Sequence, residues 1–214
     1  MEINVGLLLL IAASIVVLRS YYIKPPKRDL IDTSELPKSY IIEKANRMDH
    51  QQNNECAAFS SAYILRHLGE DADGHELYRR FPRKRVNGTV DPNGIVVLFR
   101  RLGFRAAFYR GNVNTLKKRL VQGIPVIVFI RAFPGKRYLH FATVVGYDDE
   151  YMYMVDSLPN MINCSEMHYN RRVLIRDFEV VWKTWALFCT NSYIVISLNS
   201  SHDRSAEQKH TVQI

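Results

Sequence analysis

Cysteine is scarce in this chain. Its 214 residues carry three, Cys56, Cys164 and Cys189, odd in number and widely spaced. That excludes a disulfide framework and offers no paired zinc-ligand spacing, so reduced thiols and no metal are expected. A P-loop is also missing, as are zinc-finger spacing, an RNA-recognition signature and any aromatic-interleaved basic repeat. Nucleotide-driven transport within this chain and nucleic-acid binding are therefore set aside. Nothing calls for an organic cofactor. Acidic excess is absent too: the net charge is +8, with one dense basic run at Arg79, Arg80, Arg83, Lys84 and Arg85. Such a run is read first as a solvated face, and second as a contact for anionic lipid or an acidic partner.

With 47% hydrophobic residues, the chain can bury a full core without disulfide support. Its one long apolar run is INVGLLLLIAASIVVL, at 3–18. As a helix this would span roughly 24 Å, extended by Tyr21, Tyr22 and Ile23 if Arg19 snorkels. The positive charges follow the run, at Arg19, Lys24, Lys27 and Arg28, and do not precede it. That order favours an uncleaved anchor at 1–23 over a signal peptide, with the following domain on the cytoplasmic side. Residues 24–49, with Pro25, Pro26 and Pro37, read as a linker. The domain is expected over 50–198, and the polar 199–214 tail is expected to be disordered.

Within the domain, Gly69, Gly103 and Gly123 punctuate helices expected at 56–68, 92–102 and 112–121. Strands are expected at 104–109 and 124–130, a hairpin at 139–147 and 151–155, a short helix carrying Trp182 and Trp185 at 177–185, and a last strand at 192–198. Helices early and an antiparallel meander late make an α+β domain.

One cysteine stands out. In QQNNECAAFSSAYILRHLG, Cys56 opens a small-residue helix, with Asn54 as the expected N-cap. Unpaired N–H groups and the helix macrodipole at that point favour a thiolate. A lone helix cysteine is more commonly a small buried hydrophobe, so a base and an orienting partner are required. Of seven histidines, His50 and His67 lie near the cysteine in sequence, and His67 is at the far end of its helix. His75, His202 and His210 fall in loops or the tail, and His168 in an irregular stretch. His140 alone begins a defined strand, LHFATVVGY, and the partner strand ends at Asp156, in YMYMVDSL. A strand start and the end of its antiparallel partner are neighbours, which puts a carboxylate where it can hold one imidazole tautomer.

QNNEC, the small-residue helix, PVIVFI, LHFATVVGYDDEYMYMVDS and DFEVVW, in that order over roughly 50–198, together resemble the C39 and C39-like cysteine peptidases. The resemblance implies a papain-like fold, with an N-terminal central helix packed on an antiparallel β-sheet, and the apolar run is expected to add a single membrane helix ahead of it. It implies Cys56 as nucleophile, His140 as general base and acid, Asp156 as orienter, and an upstream glutamine as oxyanion donor. That glutamine is Gln51, with Gln52 as the alternative. The family's glutamine falls where this chain has His50, and many relatives carry glycine where this chain has Ala57. The implied substrate is a peptide or protein, including leader peptides, and the implied partner is a separate ABC transporter. The same residues also permit acyl transfer to an amine, or a papain-like module that docks a peptide without cutting it. Cys164 and Cys189 read as structural, and Trp182 and Trp185 as core.

Overall fold

The computed structural model describes residues 24–186 and 189–199, together with positions 6, 8, 10, 11 and 14. The anchor expected at 1–23 and the tail after Asn199 lie largely outside the described residues. Among the described residues, no helix is long and apolar enough to cross a membrane.

Among the described residues, eight strands form one sheet. In chain order they are β1 (Lys27–Arg28), β2 (Tyr40–Ile41), β3 (Arg105–Arg110), β4 (Val126–Arg131), β5 (Leu139–Tyr147), β6 (Tyr151–Val155), β7 (Arg171–Leu174) and β8 (Ser192–Ser197). Their spatial order is β1-β3-β8-β4-β5-β6-β7, with β2 added on β5. All pairings are antiparallel except β1 with β3, so the sheet is mixed where a purely antiparallel one was expected. The fold is α+β, as expected.

The helices are α1 (Cys56–His67), α2 (Gly74–Arg80), α3 (Pro92–Arg101), α4 (Val113–Val121) and α5 (Ile175–Trp182). Both sheet faces are covered. Ile127 and Phe129 pack with α1, α2 and α3, while Val126, Val128 and Ile130 pack with α4 and α5. A strand buried on both sides needs apolar side chains at every position, which is why PVIVFI does not alternate. The small residues Ala57, Ala58, Ser61 and Ala62 are all buried, and they let α1 lie close to the sheet. Asn112 caps α4 through a capping box with Thr115, and α4 buries Leu116 and Leu120 completely. Burial of that kind contributes about 1.5–3 kcal/mol per side chain.

Residues 24–49 are tied to the domain. The buried Asp29 carboxylate accepts from Arg119 at 2.8 Å and from the Tyr193 hydroxyl at 2.6 Å. Tyr147 donates to the Pro37 carbonyl at 3.0 Å. Strand β2 can approach β5 because Gly146 lies opposite it: a Cβ there would meet the Tyr40 carbonyl oxygen at 2.7 Å.

Two further expectations are corrected. Asn54 is not the N-cap of α1; that position is Glu55, which makes no side-chain cap bond. The Asn54 amide is instead occupied by Asn87 and Tyr138. The late helix ends at Trp182, so Trp185 is not on it. While Trp182 is fully buried, Trp185 is 57% exposed. Helix α2 and strand β7 went unread in the sequence. The basic run is largely solvated and partly neutralised within the domain, by Arg79 with Glu76 and Arg83 with Asp91.

Candidate active site

Helix α1 begins at Cys56 itself. The backbone N–H groups of Cys56 and Ala57 make no hydrogen bond among the described residues, because the first carbonyl-bound N–H is that of Ala58. The opening turn thus presents free donors beside the half-buried thiol.

The β5–β6 ladder pairs Thr143 with Val155. Continued by one residue, it sets Asp156 opposite Ala142, so His140 becomes the same-face diagonal neighbour of Asp156, within reach of long side chains. The outcome is a hydrogen bond of 2.8 Å between His140 Nε2 and Asp156 Oδ1, both side chains fully buried. Since Asp156 holds Nε2, Nδ1 is left for Cys56. That nitrogen is buried without a formed hydrogen bond, yet the Cys56 side chain lies close enough to act on the ring.

Burial is the largest influence on His140 and pushes its pKa down. The charge and hydrogen bond of Asp156, followed by Cys56, outweigh it and raise the pKa to about 10. Burial likewise pushes Asp156 up, but the His140 charge and hydrogen bond, the Arg171 charge and the Leu158 N–H bring it down to about 2. The pair is therefore imidazolium and carboxylate at neutral pH.

Asp156 has further partners that the sequence did not announce. Its second oxygen accepts from Arg171 Nη1 at 2.6 Å, and Oδ1 also accepts from the Leu158 N–H at 2.9 Å. Asn170 clamps the Asp156 backbone, accepting from its N–H and donating to its carbonyl, each at 2.8 Å. Arg171 and Asn170 come from β7 and the residue before it. No spacing relative to Cys56 or His140 could have pointed to them.

The two glutamines separate clearly. Gln51 is buried, while Gln52 is exposed. The Gln51 backbone N–H donates to the Ser157 carbonyl, and the Ser157 hydroxyl donates to Gln51 Oε1, both at 2.8 Å. Its Nε2 donates one hydrogen to the Asn53 carbonyl and has a second to offer. Tyr78 and Tyr138 are each within electrostatic reach of the thiol. His67 bonds the Gly123 carbonyl and His75 faces Glu55, so neither joins the site. Cys189 is fully buried, which pushes its thiol up to about 11, and burial also raises Cys164. Two larger hollows, of about 460 and 730 Å³, are lined by none of Cys56, His140 and Asp156. Among the described residues, no cluster of metal-ligating side chains is present.

A cysteine at a helix start, a buried imidazolium–carboxylate pair and a buried glutamine are the parts required for acyl transfer through sulfur. Comparison with solved structures finds the same fold. The chain is similar to the peptidase domain of Streptococcus ComA, a bifunctional ABC transporter of a quorum-sensing pathway, at 19% identity and a TM-score of 0.54, over 72% of this chain and 99% of the other. It is similar to a C39-like peptidase of Bacillus anthracis at 15% identity and a TM-score of 0.58, over 77% and 100%. It is also similar to a double-glycine-motif protease of an AMS/PCAT transporter, solved with its leader peptide, at 16% identity and a TM-score of 0.51, over 83% and 100%. No curated protein sequence matches the chain. The model of the peptidase C39 family matches residues 44–193, most of the chain. The chain belongs to the peptidase C39 family, cysteine peptidases that hydrolyse peptide bonds.

Proposed function

We propose that this protein is a membrane-anchored peptidase that cuts leader peptides through Cys56, His140 and Asp156, with Gln51 as oxyanion donor. The observation that carries the reading is the fully buried His140–Asp156 pair at 2.8 Å beside the thiol at the start of α1. His140, cationic at neutral pH, supplies the positive charge a thiolate needs. The Cys56 sulfur attacks the scissile carbonyl. The resulting oxyanion takes hydrogen bonds from the free Cys56 N–H and from the second Gln51 Nε2 hydrogen, a donor type worth about 3–4 kcal/mol. His140 gives its proton to the departing amine and then takes one from the water that releases the acyl group. Asp156 holds the ring throughout. Leader peptides are the substrate class because one similar protease was solved with its leader peptide and another belongs to an ABC transporter. Residues 1–23 tether the domain, on the cytoplasmic side, beside a separate transporter.

The test is alkylation of Cys56 by iodoacetamide against pH, read by peptide mass on the full chain in detergent micelles, with His140→Ala alongside. Rapid labelling at about pH 6 that slows at least tenfold in the variant is expected. Equal rates in the two proteins would mean that imidazole and thiol do not act together, and the peptidase mechanism would be withdrawn.

A further inference from the structure

Residues 131–138, RAFPGKRY, lead directly into Leu139 and His140, and they place Tyr138 within electrostatic reach of the Cys56 thiol. On this strip lies a hollow of about 300 Å³, lined by Arg131, Lys136, Arg137, Lys183 and Trp185 among others. Each charged group lining it is a cation. None of these four cations forms an ion pair among the described residues. Like charges gathered around one hollow repel, and the arrangement gains when an anion enters.

The site is also built. Trp185 Nε1 donates to the Arg137 carbonyl at 3.2 Å, and the Arg137 guanidinium lies 5.8 Å from the centre of the same indole. Trp185 is nonetheless 57% exposed. Tryptophan and arginine side by side are the residue types on which interface energies concentrate. A further cation, Lys84, stands over the ring of Tyr78, whose phenol is also within electrostatic reach of Cys56. Two residues before Cys56, Asn54 donates to the Asn87 carbonyl and accepts from the Tyr138 hydroxyl.

We propose that this hollow is a subsite for acidic side chains of the peptide cut at Cys56, an inference that rests on the peptidase reading above. A carboxylate here takes charge-assisted hydrogen bonds from the lysines and from Arg137, against the apolar wall of Trp185. Anionic lipid would satisfy the same cations. The peptide is favoured because the segment lining the hollow runs directly into Tyr138, which bonds Asn54, and into His140.

The experiment uses the full chain in detergent micelles and internally quenched peptides with a Gly-Gly scissile pair, bearing Glu, Gln or Lys at each flanking position in turn. The wild type is expected to prefer a Glu peptide over its Gln counterpart by about tenfold in kcat/KM, through KM, as one charge-assisted contact provides. The preference should collapse at about 0.5 M salt. The double variant Lys136→Glu/Lys183→Glu should prefer Lys. Equal cleavage of all three peptides, or a variant that keeps the wild-type preference, overturns the proposal. So does a variant whose only loss is binding to phosphatidylserine vesicles. If the wild type cuts no peptide, the nucleophile reading fails separately. Fluorescence anisotropy of the same peptides with Cys56→Ala then decides the subsite: tighter Glu binding supports it and equal binding refutes it.

Discussion

Replacing Arg171 with methionine should cost about 2 kcal/mol of folding stability at pH 7. Methionine fills much of the same volume but leaves the Asp156 carboxylate without the cation that now sits 2.6 Å away, where the two side chains are 8% and 0% exposed. Removing one partner of a buried ion pair typically costs about 3–5 kcal/mol. A second route bounds the figure. The fall of Asp156 from 3.8 to about 2 corresponds to roughly 2–3 kcal/mol shared among all its partners. The lower end is the better guide, because His140 and the Leu158 N–H remain. A carboxylate with a depressed pKa contributes fully above about pH 4, and that contribution is lost as pH falls towards 2. The difference between wild type and Arg171→Met should therefore be full at pH 7 and narrow from pH 4 to pH 2. Urea denaturation across that range measures it. A difference below about 1 kcal/mol at pH 7, or one indifferent to pH, would refute the electrostatic account of Asp156. Arg171→Lys should recover part of the loss, because it restores the charge without the planar fork.

Gln51→Ala should lower kcat by about 10²- to 10³-fold with KM little changed, while the exposed Gln52→Ala should be nearly neutral; steady-state kinetics on a cleavable peptide distinguish them. Since the His140 pKa is raised to about 10, its contribution to stability is complete below about pH 6.5 and lost as pH rises through 10. The alkaline limb of kcat/KM should fall in the same region, where the proton for the leaving amine disappears, and a pH–rate profile shows it. Asp29→Asn should destabilise the domain by about 3–5 kcal/mol by breaking a buried pair with Arg119, visible as a lowered denaturation midpoint, and deleting residues 1–37 should do the same.

Several elements were readable before the structure because local chemistry defines them. The hairpin of β5 and β6 matches its expected bounds, since apolar-rich runs on either side of an Asp148 turn mark both strands locally. Helices stopped by Gly69, Gly103 and Gly123 end where glycine adopts positive φ. Helix α2 was missed because GHELYRR is short and polar, and its N-cap, Asp73, is one acidic residue among several. Strand β7 was missed because RRVL carries no apolar run of its own and is defined by pairing with β6. Trp185 was misjudged for a related reason. Its composition and spacing match those of Trp182, and only the end of the helix at Trp182 turns one inward and the other out.

The sequence by itself determined the order of parts: a cysteine at a helix start, a histidine at a strand start, and an aspartate at the end of the next strand. Those placements follow from propensity and period, which act over a few residues. Tertiary structure decided everything that depends on distance across the chain. It buried Gln51 against Ser157 and left Gln52 exposed, removed Asn54 from the helix cap, and brought Arg171 of β7 and the preceding Asn170 to Asp156. It also gathered four cations and an exposed tryptophan around one hollow. No local pattern encodes such contacts, because a buried charge is stable only where chains from distant segments meet and satisfy it.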